Sequence, residues 1–242
     1  MATTFSNQEI EALYEKYVRK DKTYFNPITR KEIESLRFNY TVGTQQLSYS
    51  PEGHDFPRVK CLLDFKSWIA AHQIGEIDHL LSTDVSDPEI SFLNYRKLTA
   101  IPYDPATGEN DLHTITLEKE AYDFILFSQT IEHLYNPFIA LAKLYEATKP
   151  GGYIFTSLPT INIPHMTPIH FSGYTPMGLC LLFESAGFNT IEIGYWGNFK
   201  YISSIFKTHL WPDYRKLVNI FGNVINEERN VAQTWILAKK EI

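Results

Sequence analysis

The feature that most limits what this chain can fold into is the run Asp123-Phe124-Ile125-Leu126-Phe127-Ser128. A strand with one wet face alternates apolar and polar side chains. A strand that is apolar at every position must be covered on both faces, as in a parallel sheet between helical layers. The run belongs to a rhythm that begins at about residue 76. Ile77–Leu81, Lys97–Tyr103, Tyr153–Leu158, Thr190–Tyr195 and Thr234–Ala238 read as further strands. Between them lie helix signals. Pro88 follows Asp87, and Pro137 follows Asn136, with Phe138, Leu141, Ala142 and Tyr145 on one side. Thr175-Pro176 opens a helix bearing Leu179, Leu182, Phe183 and Ala186, and Gly187 closes it. Strands alternating with helices in this way predict an α/β fold with a mostly parallel sheet.

Residues 1–75 follow a different pattern. Ser6 and Glu9 form a capping-box signature for a helix over 6–20, with Ile10, Leu13, Tyr14, Tyr17 and Val18 on one face. Pro27, Gly43, Pro51 and Gly53 punctuate residues 21–56, where loops and a short helix near 30–37 are expected. A second amphipathic helix is expected from about 57 to 74, ending at Gly75. The chain thus divides into a helical N-terminal extension, 1–75, and an α/β domain, 76–242.

Composition narrows the function. The net charge of −6 argues against nucleic acid and anionic membrane surfaces as partners. The two cysteines, Cys61 and Cys180, have no spacing suited to a disulfide scaffold or a zinc finger. The N-terminus lacks a signal-peptide pattern, and no run approaches the ~18 apolar residues of a membrane span. A cytoplasmic protein is the expectation. No Gly-x-Ser-x-Gly elbow, P-loop or Gly-x-Gly-x-x-Gly after a strand is present, which argues against hydrolase, nucleotide and dinucleotide chemistry.

In open α/β sheets ligands gather outside the carboxyl ends of the strands. Here those ends hold Ser82, Thr83, Asp84, Ser86 and Asp87, then Asp104, then Ser128, Gln129, Thr130, Glu132 and His133, then Thr160, Asn162, His165 and His170. Exposed loops are polar in any protein, so each residue also has a purely structural reading.

The stretch from Ala121 through Ser128-Gln129-Thr130-Ile131-Glu132-His133-Leu134, followed by Asn136-Pro137 and Lys149-Pro150-Gly151-Gly152-Tyr153, resembles class I S-adenosylmethionine-dependent methyltransferases of the type 11-like kind. Leu182-Phe183-Glu184-Ser185-Ala186-Gly187-Phe188 fits the same pattern. The resemblance covers roughly 76–196 and the terminal strand. It implies a Rossmann-like, seven-stranded sheet, S-adenosylmethionine as cofactor, and methyl transfer to an oxygen or nitrogen of a small polar molecule such as a sugar. Asp104 would receive the ribose hydroxyls, although an Asp before Pro105 is also a turn former. Asp111 and Leu112 would flank the adenine, or else belong to a loop cluster with Glu109 and Asn110. Ser82, Thr83, Asp84, Ser128 and Gln129 would meet the cofactor along the strand ends. The protein's task is to position the acceptor and take its proton, because the cofactor carries the electrophile. His133 and His165 are the candidate bases, and their structural alternatives are a helix-start pin and a loop contact. The spacing of His165 and His170 has no acidic neighbour in sequence, so no metal is expected.

The chain departs from that family at one place. Where a glycine-rich loop usually follows the first strand, it has Asp84, Ser86 and Pro88. This motivates a second reading, a methyltransferase-like binding or scaffold protein without catalysis. Residues 197–233 form a long aromatic-rich insertion holding Phe199, Tyr201, Phe206, Trp211, Tyr214 and Phe221. It is read either as a wall of the acceptor pocket or as packing against the N-terminal helices or a second subunit of a homo-oligomer.

Overall fold

The computed structural model describes residues 4–165, 169–213, 215 and 225–242. Tyr214 and Phe221 of the aromatic insertion lie outside the described residues.

The N-terminal capping box forms as expected. Ser6 Oγ accepts from the Glu9 N–H, and Glu9 reaches back to the Ser6 N–H, starting helix α1 (Asn7–Leu13), which runs on as a π-turn through Val18. A second capping box, Thr29 with Glu32, starts α2 (Arg30–Glu34). Strands β1 (Phe38–Val42) and β2 (Gln45–Tyr49) then form an antiparallel hairpin. From sequence this stretch is expected as loop; the alternation of Phe38, Tyr40 and Val42 with Asn39 and Thr41, ahead of Gly43, is the hairpin signal that expectation misses. Helix α3 (Phe56–Ala71) follows.

The main sheet contains β3 (Glu76–Ser82), β4 (Asn94–Ala100), β5 (Tyr122–Leu126), β6 (Thr148–Pro159), β7 (Asn189–Trp196) and β8 (Gln233–Lys239). Their order is β4-β3-β5-β6-β8-β7, with β8 antiparallel to both neighbours and the remaining pairings parallel. Among the described residues the sheet has six strands rather than the seven that the resemblance implies. The interval between β4 and β5 explains the difference. Pro102, Asp104, Pro105, Gly108 and Asn110 fold it into successive turns, and Gly108 and Asn110 both take positive φ.

Alternate side chains of each central strand enter opposite cores. Ile125, Ile154 and Ile236 join Leu141 and Leu144 of α4 (Pro137–Ala147) and Leu179 and Phe183 of α5 (Pro176–Ser185). Phe124, Phe155 and Trp235 join Phe65 and Trp68 of α3 and Tyr201 and Ile205 of α6 (Phe199–Thr208). This two-sided burial is what the unbroken apolar run at 124–127 demands. Helix α5 stops as its sequence indicates: Gly187 sits at φ 98°, and the Phe188 N–H returns to the Phe183 carbonyl. No helix among the described residues is long and apolar enough to cross a membrane.

Candidate functional site

Two cavities open at the carboxyl ends of the strands, and Gln129 lines both. The first, of about 360 Å³, is bounded by Thr83 after β3, by Ile101 and Tyr103 after β4, and by Asp111 and Leu112 from the turn-rich interval. Thr130 and His133, after β5, close its inner side. The second, of about 460 Å³, lies between His54 and Asp55 ahead of α3, Asn162 and His165 after β6, and Tyr201 and Trp211 from the insertion.

The loop after β3 shows how a chain without glycines keeps the first cavity open. No residue from 82 to 92 takes a positive φ, so no position there needs glycine's conformational freedom. The polar side chains turn away. The Ser82 hydroxyl donates to the Asp84 carbonyl, and Asp84 Oδ1 accepts from the Ser86 N–H and hydroxyl. Asp87 and Glu89 are buried and point toward Arg58 of α3, whose Nη2 lies 3.1 and 2.6 Å from their carboxylates. Only Thr83 of this loop lines the cavity. Burial pushes both the Asp87 and Glu89 carboxyls up, while the guanidinium pulls against it.

Of the sequence candidates, Thr83, Asp111, Leu112, Gln129 and His133 therefore come together on the first cavity, and His165 lines the second. Ser82, Asp84 and Ser128 are close in the chain but do not line either cavity. Asp104 is turned onto its own loop, accepting from the Ala106 N–H and the Thr107 hydroxyl, which hold its carboxyl below the usual range. The neighbouring Tyr103 and Asn110 line the cavity in its stead.

Asp111 is held in place by His113. Burial alone would raise its carboxyl, but the His113 backbone N–H at 2.9 Å and ring Nδ1 at 2.7 Å outweigh that and lower it. The other ring nitrogen of His113 accepts from the Asn136 N–H, and the ring stacks on Tyr135 at 3.9 Å. His113 also lines the cavity. No local sequence signal marks it, because its role depends on Asn136 and Tyr135, more than twenty positions away.

Gln129 sits at φ 52°, an unusual backbone state for a residue with a side chain. Its N–H bonds the Ser157 carbonyl, and its side-chain amide donates to Ser157 Oγ, which also accepts from Arg58 Nη1. The partition between the cavities is thereby tied to the Arg58 cluster.

His133 and His165 face each other across the same partition, with ring centroids 5.0 Å apart, and His170 stands 4.7 Å from His165. Burial lowers the His133 imidazole, the Ile169 carbonyl at its Nδ1 opposes this, and His165 and His170 lower it further. Beneath them Glu132 is 1% exposed, and burial pushes its carboxyl up to about 8.

A family model described as a methyltransferase domain matches residues 83–193. Solved structures are similar to the chain at low identity. The [4+2]-cyclase SpnF is 11% identical, covering 74% of this chain and 80% of its own, with a TM-score of 0.48. The Burkholderia thailandensis 1,6-didemethyltoxoflavin N1-methyltransferase, solved with 1,6-didemethyltoxoflavin and S-adenosylhomocysteine, is 13% identical, covering 75% and 78%, with a TM-score of 0.48. An S-adenosylmethionine-dependent methyltransferase from Mesorhizobium loti is 10% identical, covering 72% and 98%, with a TM-score of 0.47. No curated protein matches the chain. The stretch 83–193 is thus similar to a methyltransferase domain, and it lies on a mostly parallel sheet flanked by helices in the Rossmann-like manner.

Proposed function

We propose that this protein transfers the methyl group of S-adenosylmethionine to an oxygen or nitrogen of a small polar acceptor. The observation that carries this reading is the pair of cavities meeting at Gln129, with His133 on one and His165 on the other. The first cavity suits the nucleoside part of the cofactor. Ile101 and Leu112 offer apolar faces for the adenine, and Asp111 offers a carboxylate for its amine. Tyr103 and Asn110 take the place proposed from sequence for Asp104 at the ribose. The second cavity receives the acceptor. Its described lining contains Asp55, Asp213, Asn162, Gln233 and Tyr201 but no Lys or Arg. That lining favours a neutral or cationic polar molecule over a phosphorylated one.

In the reaction the acceptor's lone pair attacks the sulfonium methyl in line. The sulfur keeps the electrons of the broken bond, and S-adenosylhomocysteine leaves. The acceptor's proton passes to His133, whose imidazole burial holds toward the neutral form. The runner-up, a binding protein without catalysis, draws on the buried Asp87–Glu89–Arg58 cluster standing where a glycine-rich loop is usual.

Calorimetric titration with S-adenosylhomocysteine separates the two. One site per chain, weakened in Asp111→Asn, is the expected result. Titration without heat or thermal stabilisation at millimolar ligand would remove the methyltransferase reading.

A further inference from the structure

The histidine cluster at the partition includes a buried carboxylate with one oxygen that no hydrogen bond satisfies. Glu132 Oε2 has no partner among the described residues, although the side chain is almost fully buried. An orphaned carboxylate oxygen is costly unless a cation or a proton occupies it. Around it the histidines are oriented in a common way. His133 presents Nδ1 to the Ile169 carbonyl at 3.0 Å, and His165 presents Nδ1 to the Ile163 carbonyl at 3.3 Å. Only an N–H can make those bonds, so each Nε2 carries a lone pair. His170 reverses the pattern, with Nε2 on the Ser172 carbonyl at 2.9 Å, leaving a buried Nδ1 without a partner. Imidazoles pinned through one nitrogen to backbone carbonyls, with the other nitrogen held as an acceptor, are the usual outer support of a metal site.

The distances are compatible with one ion. One ligand atom each from Glu132, His133 and His165 lies within 4.8 Å of the others, and His133 Nε2 is 4.0 Å from Glu132 Oε1. Ligand atoms around a tetrahedral zinc stand roughly 3.3 Å apart, so small side-chain rotations close the set. Two imidazoles and a carboxylate form a nitrogen–oxygen donor set suited to borderline first-row ions rather than to calcium or magnesium.

We propose that Glu132, His133 and His165 bind one divalent first-row metal ion, of which zinc is the model, with His170 beside them as a fourth donor or support. The ion lies at the partition, with coordination positions left for a donor atom of a molecule in the second cavity. That last role rests on the methyl-transfer reading above, with the ion polarising the acceptor in place of an imidazole that takes its proton; the binding of the ion does not. The carboxylate is absent from the sequence neighbourhood of His165 and His170. It comes from the loop after β5, more than thirty residues earlier.

The test uses the full chain, stripped with a chelator and titrated with Zn²⁺ and with Co²⁺, the latter followed by its visible absorption. One ion per chain is expected, with a rise in the thermal midpoint. Glu132→Gln, His133→Ala and His165→Ala should each weaken binding at least ~10-fold, with circular dichroism confirming that each variant folds. Absence of binding overturns the proposal, as does binding that all three variants leave unchanged. Titration of the metal-free protein with S-adenosylhomocysteine keeps the two readings apart. Cofactor binding without metal binding defeats the metal site alone. Metal binding without cofactor binding leaves the site standing and removes the methyltransferase reading.

Discussion

Nη2 of Arg58 lies 2.6 Å from Oε2 of Glu89, and this contact ties α3 to the loop that borders the first cavity. The guanidinium is also shared with Asp87 at 3.1 Å and with Ser157 Oγ at 2.9 Å. Removing one member of a buried ionic cluster leaves the others desolvated and unpaired. Arg58→Ala should therefore cost about 3–5 kcal/mol, measured as a lower urea midpoint. Adding Glu89→Gln to Arg58→Ala should recover part of the loss, since a neutral amide is cheaper to bury than a lone carboxylate. Additive losses from the two substitutions would show that they are not energetically coupled.

At the first cavity, Asp111 is the group whose charge is secured by the structure, through the two His113 bonds. A hydrogen bond to a charged group is worth about 1.5–3 kcal/mol. Asp111→Asn should weaken S-adenosylhomocysteine roughly tenfold or more, with the fold intact. His113→Ala should weaken it less, because the carboxylate stays but loses its orientation. Both are read by calorimetry. Equal affinities for wild type and Asp111→Asn would place the adenine elsewhere.

The architecture could be read in the sequence because burial leaves a mark on it. The unbroken 124–127 run, the Gly187 stop and the two-residue signals Asn136-Pro137 and Thr175-Pro176 are local, and each maps onto an observed element boundary within a few residues. The β1–β2 hairpin carries a fainter mark, the alternation of Phe38, Tyr40 and Val42 and then of Leu47 and Tyr49, over strands of only five residues each. The site was only partly legible. Thr83, Gln129 and His133 follow from the rule that ligands gather at strand ends, and Asp111 and Leu112 from the family resemblance. That rule does not say which way a side chain turns, so Asp104 and Asp84, equally placed in sequence, satisfy their own loops instead. The Arg58 and Glu132 clusters depend on contacts between distant segments, for which a single sequence holds no local signal.

His133 must be neutral to take a proton or to coordinate an ion. Burial and the nearby His165 and His170 depress its pKa from an ordinary value of 6.5, while the Ile169 carbonyl only partly opposes them. The neutral form therefore persists to lower pH than for a free imidazole. The acid limb of kcat/KM should fall below pH 6.5, and the His133 ring proton in the metal-free protein should titrate there by NMR. A ring that titrates above that value would mean that a counter-charge, and not burial, governs the site.

Glu132 gives the sharpest pH signature in stability. In the folded protein its carboxyl holds a proton up to about 8, against an ordinary value of 4.5 in the unfolded chain. Between those values the native state binds the extra proton, so this group's contribution to stability declines as pH rises through that window. Glu132→Gln imitates the protonated form at every pH. In the presence of a chelator, the variant and the wild type should be equally stable at about pH 5, and the variant more stable at about pH 9 by on the order of 2–4 kcal/mol. Other carboxylates contribute equally to both proteins and cancel in the difference. Saturating Zn²⁺ should reverse the order, since an ion stabilises the carboxylate and gives the amide far less. Parallel urea titrations at the two pH values, with and without zinc, read all four states. A difference that does not change with pH would mean that Glu132 is already ionised and paired in the native protein.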